Sequence, residues 1–269
     1  MKNYIPAILL CLAAFAASAD TTLWYNGDFN NVSSLRDNYS SYTATDATVY
    51  DDFTVSTASG GWHITEVFGH IQFGDITDVT NANWSIRSGV SAGNGGTIVA
   101  SGANAPITLT PTGTIFYGNT EYKVDIAGLD ISLAPGTYWL GVQPNTVGAA
   151  YMSTTSGANG AGAPLDDGNA FFNSPSQGSN FELQPAPPSG FSDYSMGIVG
   201  TKVANPSPIP LNVQLAGTKL VLVWADSGSV FSLQAAPAIT GTFTNVPGAI
   251  SPYTNTIAGS QIYFRLKSN

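Results

Sequence analysis

The stretch Glu121-Tyr122-Lys123-Val124-Asp125-Ile126 decides the fold. Apolar and charged residues alternate one for one, so Tyr122, Val124 and Ile126 share one face of an extended chain and Glu121, Lys123 and Asp125 share the other. That pattern is a β-strand with one buried face, and it places Glu121 and Lys123 on a solvated surface. The same period recurs in both directions. Residues 48–55, 62–73, 83–87, 97–100, 107–110, 129–133, 137–142 and 194–203 read as further strands, separated by turns rich in Gly or Pro. No helical period of useful length follows residue 20. Within 62–73, Trp62 and Ile64 fall on one face while Val67, Ile71 and Phe73 fall on the other. One strand cannot bury both sets without a change of phase, so a bulge is predicted at Thr65 or Glu66.

Between residues 151 and 190 the alternation dissolves into Ser, Gly, Asn and Pro, with Phe171, Phe172 and Phe181 as the main apolar anchors. This reads as a long loop region packed by a few aromatics, or as a partly mobile insertion. Pro206, Pro208 and Pro210 then alternate with other residues, a composition that resists helix and ladder pairing alike. The expected organisation is all-β: a jelly-roll-like β-sandwich over residues 20–203, a Pro-rich linker at 204–208, and a small C-terminal β-sandwich over 209–269. The last part has its strands at 211–215, 219–224, 230–235, 243–246 and 261–267. No repeat of 20–50 residues links the two parts, which disfavours a solenoid or propeller.

The first 19 residues carry Lys2, an apolar run from Ile5 to Ala17 and the exit Ala17-Ser18-Ala19. This is the pattern of a secretory signal peptide cleaved before Asp20. The run is shorter than the ~20 apolar residues that span a bilayer, and no later segment approaches that length. Leu10 precedes Cys11 where a lipoprotein signal needs a small residue, so lipidation is not expected. Cleavage removes the one cysteine, leaving no thiol or disulfide chemistry, and a chain of this length can bury its core without such staples. The expected location is secreted or associated with a bacterial cell envelope, without stable membrane insertion after cleavage. Acidic residues number 17 against 8 basic ones, and loss of Lys2 deepens the imbalance. Nucleic acid and anionic membranes are poor partners for such a field. Aromatic residues make up 11% of the chain, which argues against disorder despite the abundance of small polar residues.

Two sets of motifs carry a family resemblance. Leu23-Trp24-Tyr25-Asn26-Gly27, Tyr50-Asp51-Asp52-Phe53-Thr54-Val55, Trp84-Ser85-Ile86-Arg87, residues 96–102 and Pro135-Gly136-Thr137-Tyr138-Trp139-Leu140 together resemble secreted β-sandwich proteins of environmental bacteria, many of them sorted by an exosortase system. Leu220-Val221-Leu222-Val223-Trp224, Phe231-Ser232-Leu233-Gln234, residues 243–248 and Tyr263-Phe264-Arg265-Leu266-Lys267 resemble a fibronectin-like C-terminal module found on secreted proteins of Verrucomicrobia. The second resemblance implies an accessory or sorting role. The exosortase relatives end in a Pro-Glu-Pro signal, an apolar helix and a basic tail, none of which is present here, so anchoring by that route is not expected.

The chemistry available to the remaining residues is narrow. His63 and His70 are the only histidines, and they point to opposite faces unless the bulge flips the phase; two histidines without a thiol make a thin inventory for a transition metal. A serine triad would need one of them, and no G-x-S-x-G elbow is present. Glu66, Glu121 and Glu182 are the only glutamates a glycosidase could draw on, and Glu66 falls where a bulge could re-aim it. Asp166, Asp167 and Asn169 place three oxygen-bearing side chains around Gly168, a donor set suited to calcium, although such a sequence also favours a plain turn. Asp75 with Asp78, and Asn26-Gly27-Asp28 with Asn30, are thinner versions. Gly93-Asn94-Gly95-Gly96 lacks the lysine of a phosphate loop and reads as a tight turn. Trp139, opposite Tyr138, Leu140 and Val142, is the tryptophan expected to stand exposed, where it could stack on a sugar ring. The function expected from the sequence is non-catalytic binding of a glycan, matrix polymer or surface protein. A structural surface component and a polysaccharide hydrolase are the alternatives.

Overall fold

In the computed structural model, which describes residues 19–31, 36–38, 46–184, 193–206, 208–226, 229–256 and 261–269, alternation becomes pairing in antiparallel sheets. The expected signal segment lies outside these residues apart from Ala19, as does position 207 of the expected linker. The chain divides into two compact units, one ending at Val203 and one beginning at Ala204. In chain order the first unit contains β1 (Thr21–Tyr25), β2 (Arg36–Asp37), β3 (Thr48–Val55), β4 (Gly61–Phe73), β5 (Asn81–Ser88), β6 (Thr97–Pro106), β7 (Thr108–Phe116) and β8 (Asn119–Leu133). It continues with β9 (Gly136–Pro144), β10 (Ala150–Met152), β11 (Thr154–Thr155), β12 (Phe171–Ser174), β13 (Ser179–Leu183), β14 (Asp193–Tyr194) and β15 (Met196–Val203).

One sheet is built around the long strand β4. β8 pairs with one edge of β4 along its length and carries β7 outside it. The other edge of β4 is shared by β15, which continues to β1, and by β10, which continues to β2. The second sheet runs β13-β12-β3-β9-β5-β6. The chain crosses between the two at β2 to β3, β3 to β4, β4 to β5, β6 to β7, β8 to β9 and β9 to β10, and passes between them twice more by way of the short β11–β14 pair, in the manner of a jelly roll. Their inner faces meet in one apolar core. Ile64, Val67 and Ile71 of β4 and Val124 and Ile126 of β8 pack there against Val49 and Phe53 of β3 and Leu140 and Val142 of β9. Phe53 stacks on Trp62 across the gap, centroids 5.7 Å apart and planes 9° from parallel, and Trp24 leans on Phe53 from 5.6 Å.

The predicted bulge is present at Thr65. Ile64 pairs with Ile131 and Gly200, Glu66 pairs with Ala127 and Val199, and both registers shift between them. The extra residue lets Trp62 and Ile64 face the core ahead of it and Val67, Ile71 and Phe73 face the core beyond it. By the same change of phase, His63 and His70 come to the same, outer face.

The expected long loop after residue 151 contains four short strands instead, β10 to β13, and all three of its phenylalanine anchors are buried. The C-terminal unit contains β16 (Asn212–Ala216), β17 (Lys219–Val223), β18 (Phe231–Ala236), β19 (Thr244–Asn245), β20 (Tyr253–Thr256) and β21 (Tyr263–Ser268). These form two three-stranded antiparallel sheets, β16-β17-β20 and β19-β18-β21, closed over Leu222, Trp224 and Leu233.

Candidate functional site

Glu121 is the departure from the sequence reading that locates the site. It does lie on the outer face of β8, but it is only 3% exposed. What covers it is β7, whose register with β8 breaks between Pro111 and Ile115 so that extra residues loop out opposite Glu121. From that bulge the Thr112 hydroxyl donates to Oε2 of Glu121 at 2.6 Å, and from the other side the Ser153 hydroxyl donates to Oε1 at 2.5 Å. Both carboxyl oxygens therefore have a partner, as a buried acceptor requires.

A polar chain continues from there. The Ser153 backbone N–H donates to the carbonyl of His70, and the Ser195 N–H donates to the carbonyl of Ser153. The His70 Nδ1 lies 2.9 Å from the Ser195 hydroxyl and 3.2 Å from that of Tyr25, and Tyr25 donates to Asp28 at 2.5 Å. Asn159 closes the far end, donating to Asp28 at 2.6 Å. Burial lowers the pKa of His70. Burial first, and then the bond to Asp28, holds the Tyr25 phenol well above its usual range. The donors Tyr25 and Asn159 draw the Asp28 carboxyl below its ordinary value.

These groups open onto a recess of about 300 Å³ lined by Asp28, Phe29, Asn31, His70, Thr112, Thr114 and Glu121. The Ser195–His70 pair does not amount to a hydrolase nucleophile: Ser195 is fully buried and its hydroxyl also donates to the Gly27 carbonyl at 2.6 Å. His63 stands apart, bonded to Asp130 at 2.8 Å. Glu66, which the bulge was expected to re-aim, accepts from Lys123 at 3.1 Å beside Asp125.

Trp139 departs from expectation more sharply. It does face outward from β9, but at 8% exposure it is not available to stack on a sugar. Tyr50, Val90, Phe171 and Phe181 close over it in a second small core, and its indole N–H donates to the carbonyl of Asn169 at 3.2 Å. Arg87 lies over the rings of Tyr50 and Phe181 in the same layer, 5.3 and 5.1 Å from their centroids.

Asp166, Asp167 and Asn169 form a turn beside β3. Its backbone points inward: the Gly168 N–H donates to Asp193, the Asn169 N–H to Asp167 and the Asp166 N–H to Asn26. Asp51 is buried next to it and accepts from Asn26 at 2.9 Å and from the Tyr194 N–H at 2.6 Å. The carboxyls of Asp51, Asp52 and Asp193 are thus gathered at one edge of β3 without a lysine or arginine bonded to any of them among the described residues. Burial, reinforced by Asp193, raises Asp51 well above its ordinary value; burial and Asp167 raise Asp52 to about 7; burial raises Asp193 to about 6. Among the described residues no three His, Cys, Asp or Glu side chains form a metal-ligating group.

The sequence did not signal Tyr25, Thr112, Ser153 or Ser195 as neighbours of a site, since they come from four separate segments. Asp28 had a trace in the polar Asn26–Asn30 turn. No helix among the described residues is long and apolar enough to cross a membrane. No family model matches the chain, and neither a curated protein nor a solved structure matches it at a significant level.

Proposed function

We propose that this is an exported, non-catalytic binding protein that holds a neutral glycan in the recess between the β7 bulge and the segment after β1. The observation that carries the reading is Glu121, a carboxylate buried in a recess where Asp28, Asn31, His70 and two threonines converge. Few, closely placed polar groups in a concave site are what fixes the orientation of a small ligand, and the volume falls at the lower end of the ~300–1,000 Å³ usual for such sites. Sugar hydroxyls both donate and accept, so they suit this mixture. Two carboxylates and an acidic chain disfavour an anionic sugar.

The test is retention of the full chain on an array of neutral and acidic glycans, with calcium and with a chelator. Retention on neutral glycans that falls about tenfold or more in Glu121→Gln supports the reading. No retention under either condition overturns it and favours a structural surface role. Retention that requires calcium would assign the cation to the Asp166–Asn169 turn, whereas calcium-independent retention would leave that turn as the cap on Asp193.

Asp28 and Glu121 facing one recess also favour a second reading, glycoside hydrolysis, which needs two carboxyl groups across the scissile bond. Against it, Asp28 is held below its ordinary pKa and so is not prepared as a general acid, and both oxygens of Glu121 are already occupied by hydroxyl donors. Release of reducing sugar from any retained polysaccharide would decide for the enzyme.

A further inference from the structure

We infer that Tyr117, at the tip of the β7–β8 hairpin, is a stacking platform that presents one face of a sugar ring to the mouth of the recess. This inference rests on the recess being a glycan site. β7 ends at Phe116 and β8 begins at Asn119, so Tyr117 and Gly118 make a two-residue turn, with φ of +47° and +82°. Both central residues of such a turn are left-handed, a conformation that Asn, Asp and Gly adopt readily and a bulky residue does not. Glycine meets the requirement at Gly118; tyrosine at 117 works against it. Folding offers no evident compensation, because the side chain is 81% exposed and its ring contact is with the neighbouring Phe116, centroids 4.5 Å apart at 70°. A residue that is strained and unburied is more economically explained by what it meets from outside than by what it does for the fold.

Its position says what that is. Phe116 packs edge-on against Phe29, centroids 5.1 Å apart at 81°, and Phe29 lines the recess. Thr112 and Thr114, on the same strand as Phe116, line it as well. The hairpin that covers Glu121 therefore also carries an exposed aromatic ring in contact with Phe116, which in turn packs on Phe29 of the recess wall. The apolar C–H face of a pyranose can lie on such a ring while its hydroxyls reach the acceptors inside. The surrounding carboxylates select a neutral or amino sugar over a uronate.

The experiment compares the wild-type chain with Tyr117→Asn, Tyr117→Phe and Glu121→Gln for binding to insoluble xylan, β-glucan and chitin, with polygalacturonate as the acidic control, and records Tm for each. The expected result is an affinity loss of about tenfold or more in Tyr117→Asn on the neutral polymers, with Tm unchanged or raised since asparagine suits the turn, and near wild-type binding in Tyr117→Phe. Wild-type binding by Tyr117→Asn, alongside loss in Glu121→Gln, would overturn the platform and leave the recess standing. Equal loss in Tyr117→Phe would assign the hydroxyl in place of the ring and overturn stacking, as would a Tm drop in Tyr117→Asn large enough to account for the lost binding. Failure of the wild-type chain to bind any neutral polymer would overturn the recess reading, and the platform with it.

Discussion

At the scale of single residues, Glu121 is held by two hydroxyls from separate segments, Thr112 in the β7 bulge and Ser153 between β10 and β11. Thr112→Val keeps the shape of the side chain and removes one donor, leaving Oε2 of a buried carboxyl without its hydroxyl partner. An unmade hydrogen bond to a buried acceptor costs about 1–3 kcal/mol, so urea denaturation should show a loss of that size. If the recess binds glycan, retention should weaken in the same variant. An unchanged midpoint would mean that water replaces the hydroxyl and that the bulge is not what supports Glu121. Alternation along 121–126 correctly gave the face on which Glu121 lies. It could not give what covers that face, because the cover is a bulge in β7 and a serine 32 residues away. Trp139 repeats the lesson: its outward direction was legible, but the β12–β13 hairpin that buries it came from a stretch whose Ser, Gly and Asn carry no period.

At the scale of elements, the best-read feature was the one whose cause is local. The phase change in β4 is written in the positions of Trp62, Ile64, Val67, Ile71 and Phe73, and the chain answers it with Thr65 left unpaired against β15 and opposite a longer irregularity in β8. Pairings of two or three residues, such as β2, β11 and β14, are too short to leave a pattern and are set by tertiary contacts. One element contact bears directly on the site. β15 passes Phe68 at Gly197, where an added Cβ would lie 2.4 Å from the Phe68 ring and 2.7 Å from the Trp24 carbonyl. Phe68 in turn packs against both Tyr25 and His70, with centroids 5.6 and 5.8 Å away. Gly197→Ala should therefore destabilise the first unit by about 1–3 kcal/mol, read as a lower Tm, because the carbonyl belongs to a paired strand and cannot withdraw. It should also displace Tyr25 from His70, seen as a change in the His70 imidazole resonances. A variant as stable as wild type would show that β1 and β15 can part at this point without cost.

At the scale of the whole molecule, the groups with displaced pKa values predict an unusual stability profile. Asp51, Asp52 and Asp193 hold protons in the folded chain at pH values where the unfolded chain, with ordinary carboxyls near 3.8, has lost them. Their contribution is fully present below about pH 4 and is lost as pH rises toward 7, because the folded state binds more protons across that window. His70 acts in the opposite sense, since its lowered pKa makes stability rise with pH up to its ordinary value of 6.5. Asp28 and Asp75, both lowered, add stability that disappears as the solution is acidified below their ordinary value of 3.8. Burial raises Glu66 as well, and four raised carboxyls against one histidine leave a net fall, so Tm of the first unit should be highest near pH 5 and decline toward pH 8. Asp52 supplies the sharpest check. Its Oδ1 is buried without a hydrogen-bond partner among the described residues, and although Asn169 bonds to the carboxyl, the charges of Asp167 and Asp193 act against its ionisation. Asp52→Asn replaces that acid with a neutral donor able to bond either neighbour, so it should raise Tm at pH 8 by roughly 2–8 °C, from about 1–2 kcal/mol, and change it little at pH 4.5. A wild-type Tm that climbs from pH 5 to pH 8, or an Asp52→Asn curve parallel to wild type, would mean that these carboxyls are neutralised by a group outside this cluster. The acidic edge of β3 would then have to be rebuilt around whatever supplies that charge.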